Sequence, residues 1–323
     1  MRARLRRRPS CARTRVTWRP SAPKPGEITV GRLRSSVGRG TASRDPNALL
    51  FPLRLRYRCA VANPYFGDIG DVWKHLAVCS LLQSEKPHVY YETHAGAAFY
   101  AVSDAPQERP YDFWKFLNVT KASPVLRESP YTEALRQVVR QKQYPGSPWL
   151  AMSVLARRAR YVFVDMDRDG LNTIDAAAGR FGLRDRVECV RGDGPTEVAK
   201  RLLDTPTGET RGALALIDPF SLTRSGAKSL ELFRGLADAG VRVVLWFKRS
   251  ECERVDVRAW KGVLDLRAVT SDADLNGCGI AVANARKRSS LAECAQLGLA
   301  LAKAFPGATF SVTWPTELDP PGL

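Results

Sequence analysis

Several things are missing from this sequence, and each absence narrows what the chain can be. No stretch approaches the ~20 consecutive apolar residues needed to cross a bilayer, so a membrane-spanning helix is not expected. Neither GxGxxG nor GxxxxGK[ST] occurs, which removes the usual loops that cradle nucleotide phosphates. The 7 cysteines are odd in number, form no CxxC pair and have no zinc spacing. They are expected to be free thiols in a reducing cytoplasm. Acidic residues are scarce at the start, where residues 1–60 hold 16 Lys and Arg against 2 Asp and Glu. That leader carries +14 of the formal net charge of +17, leaving only +3 for the remaining residues. The overall basicity is therefore no nucleic-acid footprint of the globular part.

The Arg-, Pro-, Ser- and Gly-rich leader, residues 1–60, is expected to be disordered. It has no apolar h-region, which argues against a secretory signal. A transit peptide or an RNA-binding arm would have this composition. The abrupt change near Val61 favours an upstream extension ahead of a start near that residue, and intact mass of the native protein tests this. An α/β domain is expected over 61–315, with a short tail at 316–323.

Within that domain, Asp68–Leu76 opens a helix running to about Ser84, with Val72, Leu76, Cys79 and Leu82 at helical spacing. Lys74 and His75 fall in its early turns, where they either face a ligand or are a solvated lysine and a packed histidine. Val89–Glu92 reads as a strand that ends in the small-residue turn Thr93–Ala98. Gly96 is the one glycine of that turn. A polar, proline-punctuated segment at about 103–143 is expected to form a small helical insertion on the edge of the sheet. The rigid turn Tyr144-Pro145-Gly146-Ser147-Pro148 leads to a helix over Trp149–Arg157.

Strands at 161–165, 187–191, 213–217, 241–247, 279–284 and 309–314 then alternate with helices. With Val89–Glu92 they predict a doubly wound, mostly parallel, seven-stranded Rossmann-like sheet, its last two strands antiparallel. The central strand, Ala213-Leu214-Ala215-Leu216-Ile217, runs straight into Asp218-Pro219-Phe220-Ser221. Proline stops the ladder and leaves Asp218 at the carboxyl end, where open α/β sheets place ligands. An acid capping the next helix is the ordinary alternative.

Glu92, Asp165, Asp193 and Asp218 end four strands, and such ends line one crevice. A carboxylate there can take the ribose hydroxyls (Asp165) and another an adenine amine (Asp193). Without a phosphate loop, the ligand expected is a phosphate-free nucleoside, and S-adenosyl-L-methionine fits. Methyl transfer to an amine has a good leaving group and needs mainly alignment. The Asp218 carboxylate and the Pro219 carbonyl would accept the two hydrogens of an exocyclic base amine. The neighbouring aromatic would stack on a flipped base. No metal is required.

Quoted in order, Asp71-Val72-Trp73-Lys74-His75, Glu92-Thr93-His94-Ala95-Gly96-Ala97, Tyr144-Pro145-Gly146-Ser147-Pro148, Asp193-Gly194 and Leu216-Ile217-Asp218-Pro219 carry a family likeness. From Asn63 to Pro315 the chain resembles the RlmJ-type methyltransferases, which methylate an adenine N6 in large-subunit ribosomal RNA. The resemblance implies that His75, His94, Ser147, Asp165, Asp193 and Gly194 contact the cofactor, with Lys74 close by; Glu92 and Gly96, the acid ending the first strand and the glycine of its turn, are expected to bind it too. Asp218 would be the catalytic acceptor beside Pro219, with Tyr65 and Phe220 near the target base. It also implies a monomeric cytoplasmic enzyme whose partner is ribosomal RNA free of ribosomal protein. The chain departs from the family's DPPY at Asp218-Pro219-Phe220-Ser221, from a glycine at Ala98, and from its leading YRHSFHAGN at 61–68. Those departures keep open a DNA, other-RNA or small-molecule acceptor. They also leave open a non-catalytic nucleic-acid binder using the basic leader.

Overall fold

The computed structural model describes residues 66–104, 112–204, 210–220, 222–248, 263–269, 278–306 and 308–313. The leader, Tyr65, Ser221 and the tail lie outside the described residues.

One twisted sheet organises the molecule. Five strands pair in parallel: β1 (Val89–Glu92), β4 (Arg160–Asp165), β5 (Val187–Arg191), β6 (Ala213–Ile217) and β7 (Arg242–Lys248). β9 (Cys278–Ala283) pairs antiparallel to β7, β8 (Val263–Val269) antiparallel to β9, and β10 (Thr309–Thr313) antiparallel to β8. The spatial order is β5-β4-β1-β6-β7-β9-β8-β10, so the sheet has 8 strands and not the seven expected. The additional strand is β8. Its sequence alternates, with Asp265 and Arg267 between apolar residues, and lacks the continuous apolar run that marks the buried strands. Both β9 and β10 run against the other six, as anticipated. They are separated by β8.

Side chains alternate across the sheet. Tyr90, Phe163, Leu214, Leu216, Val244 and Trp246 face one layer, with residues of α1 (Ile69–Glu85), α5 (Ser147–Leu155), α6 (Arg168–Phe181) and α9 (Arg288–Ala304). Val89, Tyr91, Val162, Ala215, Ile217 and Leu245 face the other, with α7 (Gly194–Leu202) and α8 (Leu222–Asp238). By this alternation Glu92 and Asp218 both continue the α1 side. That places them together before any contact is considered.

A two-stranded ribbon, β2 (Phe99–Ala101) with β3 (Gln143–Pro145), brackets the insertion. Between its strands lie α2 (Phe113–Val119), α3 (Pro124–Arg127) and α4 (Pro130–Val139). Pro124 and Pro130 occupy first-turn positions, where their missing N–H costs nothing. Phe113, Phe116, Leu126, Tyr131 and Leu135 join the core shared with α1. The insertion thus packs on the helical layer and not on the edge of the main sheet.

At the amino ends of the strands, far from Asp218 along β6, Arg242 and Glu85 form a buried knot. The Arg242 guanidinium donates to Glu85 O (2.9 Å), Gly212 O (2.7 Å) and Ala213 O (3.0 Å). The Glu85 carboxylate accepts from the Arg286 and Lys287 N–H groups (each 3.1 Å) and from Ser290 Oγ (2.8 Å). Every donor there meets an acceptor, so this burial of charge is tolerated.

Candidate active site

The strand order reverses between β1 and β6, and this switch point is where open α/β sheets bind ligands. The chain leaving β1 stays between its neighbours: Thr93 N donates to Leu216 O (3.1 Å) and Ala95 N to Val164 O (3.0 Å). Gly96 then turns with φ +60 and donates to Asp165 Oδ2 at 2.7 Å. Asp165 Oδ1 takes the Asp167 N–H at 2.8 Å. Each Asp165 oxygen therefore accepts one backbone N–H, which fixes the carboxylate and leaves a lone pair per oxygen. Helix α7 begins hard against this turn, since a Cβ on Gly194 would lie 1.7 Å from Thr93 O.

Lys74 is at the centre. It projects from α1 and its ammonium is 2.6 Å from Asp218 Oδ2 and 2.8 Å from Asp71 Oδ1. It also lies 5.7 Å from the centre of the Trp246 ring, which closes its apolar side. Burial opposes its charge, but Asp218 and then Asp71 outweigh that and raise its pKa well above the usual lysine value. Burial likewise works against Asp71. The His75 imidazole, the Lys74 ammonium and the Gly67 N–H overcome it and hold the Asp71 carboxyl well below its ordinary range. Lys74 is thus neither solvated nor loose: it orients Asp218 and leaves Oδ1 of that residue for another donor.

Glu92 is fully buried at the end of β1. Ser147 Oγ, at the start of α5, donates to one of its oxygens, and Tyr90 Oη donates to the other at 3.2 Å. Burial pushes the Glu92 pKa up to about 8; the Ser147 hydrogen bond pulls the other way and the Asp218 charge adds to the rise. His94, which shares a 2.7 Å hydrogen bond with Thr93 Oγ1, has its pKa lowered by burial against the upward pull of Asp218, Asp165 and Asp193.

Other expected residues have more local duties. His75 sits in the core with Nδ1 3.1 Å from Tyr144 Oη, ringed by Tyr131 and Tyr144. Burial lowers its pKa to about 4. Asp193 caps α7 through the Thr196 N–H (3.0 Å) and Thr196 Oγ1 (2.6 Å), and Lys228 Nζ reaches its other oxygen at 3.3 Å. Pro219 is buried, while Phe220 beyond it is 56% exposed. Tyr65 falls outside the described residues. Sequence reasoning missed Asp71, Tyr144 and Trp246 as site residues. The i, i+3 and i, i+4 spacing of Asp71 to Lys74 and His75 was the available signal; nothing local marks Trp246.

No protein-family model and no curated protein matches the chain. Among solved structures, a Legionella pneumophila protein assigned to a family of unknown function matches at 20% identity with a TM-score of 0.68. That match covers 79% of this chain and 100% of the other. At this identity the likeness is one of fold. A SAM-dependent methyltransferase from Agrobacterium tumefaciens matches at 12% identity and TM-score 0.36, covering 65% of this chain and 60% of that one. An O-methyltransferase from Bacillus cereus, solved in complex with SAH, matches at 14% and 0.36, covering 66% and 80%. Those two scores are too low to carry an argument. The fold itself, α/β and Rossmann-like, stands on the sheet described above.

Two features fit a phosphate-free adenosine ligand. Asp165 has its remaining lone pairs available. Met166, next to it, is 73% exposed and offers an apolar cover. Among the described residues no group of three or more His, Cys, Asp or Glu could hold a metal ion.

Proposed function

We propose that this chain is an S-adenosyl-L-methionine-dependent methyltransferase acting on the N6 amine of an adenine in large-subunit ribosomal RNA. The observation that carries the reading is the Asp218-Pro219 pair held by Lys74 at the sheet's switch point, beside a row of acids with no phosphate loop. Asp165 would hold the ribose and Met166 cover the adenine, with Gly96 and Gly194 lining the approach. Glu92 and Ser147 would contact the cofactor as well. Bound there, S-adenosyl-L-methionine supplies an electrophilic methyl group.

The residues of this chain do the rest. An exocyclic base nitrogen is a poor nucleophile because its lone pair is delocalised into the ring. Asp218 Oδ1 and the Pro219 carbonyl accept its two hydrogens, which favours the attacking geometry. The ion pair to Lys74 keeps the carboxylate from rotating away. Phe220 offers a stacking face for a base swung out of its helix.

Titrating the full-length protein and two variants with the cofactor separates the roles. Asp165→Ala weakens the cofactor's dissociation constant. Asp218→Ala leaves it within about tenfold, roughly 1.4 kcal/mol, while methyl transfer is lost. An unchanged constant in Asp165→Ala removes the ribose assignment, and full activity in Asp218→Ala removes the mechanism.

A further inference from the structure

The near-neutral charge outside the leader is unevenly spread. Across the three helices of the insertion, residues 113–142, 6 Lys and Arg stand against 2 Asp and Glu, a net +4. The rest of 61–323 holds 28 against 29, a net −1. Four of the insertion's cations meet no carboxylate among the described residues. Lys121 donates to Asn118 Oδ1 (3.3 Å) and Arg136 to Thr120 Oγ1 (3.0 Å), both uncharged. Arg140 and Lys142 are exposed and make no ion pair among the described residues. Between α3 and α4 lies an open groove of about 550 Å³, lined by Arg127, Glu128, Glu133, Arg136, Gln137 and Arg140. Its two acids have counterparts of their own. Glu128 pairs with Arg127 at 3.1 Å, and Glu133 stands in the first turn of α4, where a helix favours negative charge. The insertion is tied to the catalytic end of α1. Phe113 N donates to Gly67 O (2.9 Å), and Gly67 N donates to Asp71 Oδ2 (2.9 Å). Helix α4 starts there too, with the Tyr131 ring 5.7 Å from that of His75, the neighbour of Lys74. At the rise of an α-helix, Arg136 and Arg140 lie about 8 and 14 Å further along α4.

We propose that the groove between α3 and α4 docks the phosphodiester backbone of the RNA that carries the target base. Arg136 and Arg140 are the phosphate contacts on α4, and Arg127 is the contact on α3. This rests on the methyltransferase reading and deepens it: the acceptor base belongs to a polynucleotide that is held outside the crevice as well as in it. The planar fork of arginine matches phosphate oxygens. Arg136 has donors beyond the one given to Thr120. Arg136 and Arg140 are one turn apart on one face of α4, so they present their charges as a row. Their distance from the turn that carries Lys74 suits phosphates a few nucleotides from the target adenine.

The test measures binding of a large-subunit ribosomal RNA transcript and of free adenosine to the full-length chain, after cofactor titration of each variant. Arg140→Glu and Arg127→Glu should each weaken the RNA several-fold. Arg140→Ala should lower the slope of log affinity against log salt by about one, and Arg140→Lys should keep it. Adenosine and the cofactor should bind all of these variants as they bind wild type. Lys303→Glu makes the same change of net charge at an exposed position near the end of α9 and should leave RNA affinity unaltered. RNA affinity unmoved by Arg140→Glu and Arg127→Glu overturns the proposal. So does equal weakening by Lys303→Glu, which would mean that the RNA feels only net charge. Failure of the wild-type chain to bind the cofactor at all would instead count against the methyltransferase reading.

Discussion

At the scale of single residues, the site is a set of charges that only neighbours make tolerable. Lys74 is buried between Asp71 and Asp218, and a lone charge there would be costly. Glu92 meets the same problem differently, by burial that raises its pKa to about 8, with hydroxyl donors in place of a direct cation. Below its unfolded value of 4.5 the carboxyl is neutral in both states, and above it the unfolded chain gains charge that the folded one resists. Stability is therefore lost as pH rises from 4.5 through about 8. His75 acts in the opposite sense: its pKa falls from 6.5 to about 4, so it costs stability as pH drops below 6.5. Between pH 6.5 and 8 the Glu92 effect stands clear, and it should amount to roughly 2 kcal/mol. Urea denaturation across that window should show the loss in wild type and a flatter profile in Glu92→Gln. Parallel profiles would contradict the assignment.

At the scale of elements, the two ends of the strands have different work. The carboxyl ends hold the crevice, and α7 is seated there by the absence of a side chain at Gly194. Gly194→Ala would put a methyl group 1.7 Å from Thr93 O, so α7 or the turn must shift. We expect a loss of about 1–3 kcal/mol in stability and a clearly weaker cofactor constant, read by denaturation and titration on the same sample. The amino ends hold the Glu85–Arg242 knot. Glu85→Ala takes the carboxylate away from the buried guanidinium, which keeps its three carbonyl acceptors, and strands the Arg286 and Lys287 N–H groups and Ser290 Oγ; it should cost about 3–5 kcal/mol. Measured below its melting temperature, that variant should keep the wild-type cofactor constant; a change there would mean the two ends are coupled.

The elements also show what could be read in advance. The apolar runs of β1, β4, β6 and β7 announced themselves because both faces are buried. β8 did not, because its pattern alternates with charge. The prolines of the insertion were legible as punctuation, but that they open helices packed on α1 was not, since packing partners leave no local trace. Lys74 and Asp218 were both singled out, yet their pairing spans 144 positions and only the fold reveals it. Asp193 was read as a ligand for adenine, and in the fold it also caps α7, a duty that any acid before a helix can take.

At the scale of the molecule, the described sheet reads 3-2-1-4-5-7-6-8 in its own chain order, and its reversal between β1 and β6 puts the acids together. No helix among the described residues is long and apolar enough to cross a membrane. Charge is divided unevenly along the chain, so the leader and the crevice should be separable by salt. Deleting residues 1–60 should reduce the salt dependence of RNA binding and leave the cofactor constant unaltered, as filter binding and calorimetry would record. A lost cofactor constant would show that the leader belongs to the site.

The most direct measurement gives the full-length chain labelled S-adenosyl-L-methionine and unmethylated large-subunit ribosomal RNA, then digests the RNA and identifies the labelled nucleoside. Label on N6-methyladenosine, absent with Asp218→Ala, is the predicted result. Label on another atom, or none transferred by a protein that binds the cofactor, would contradict it.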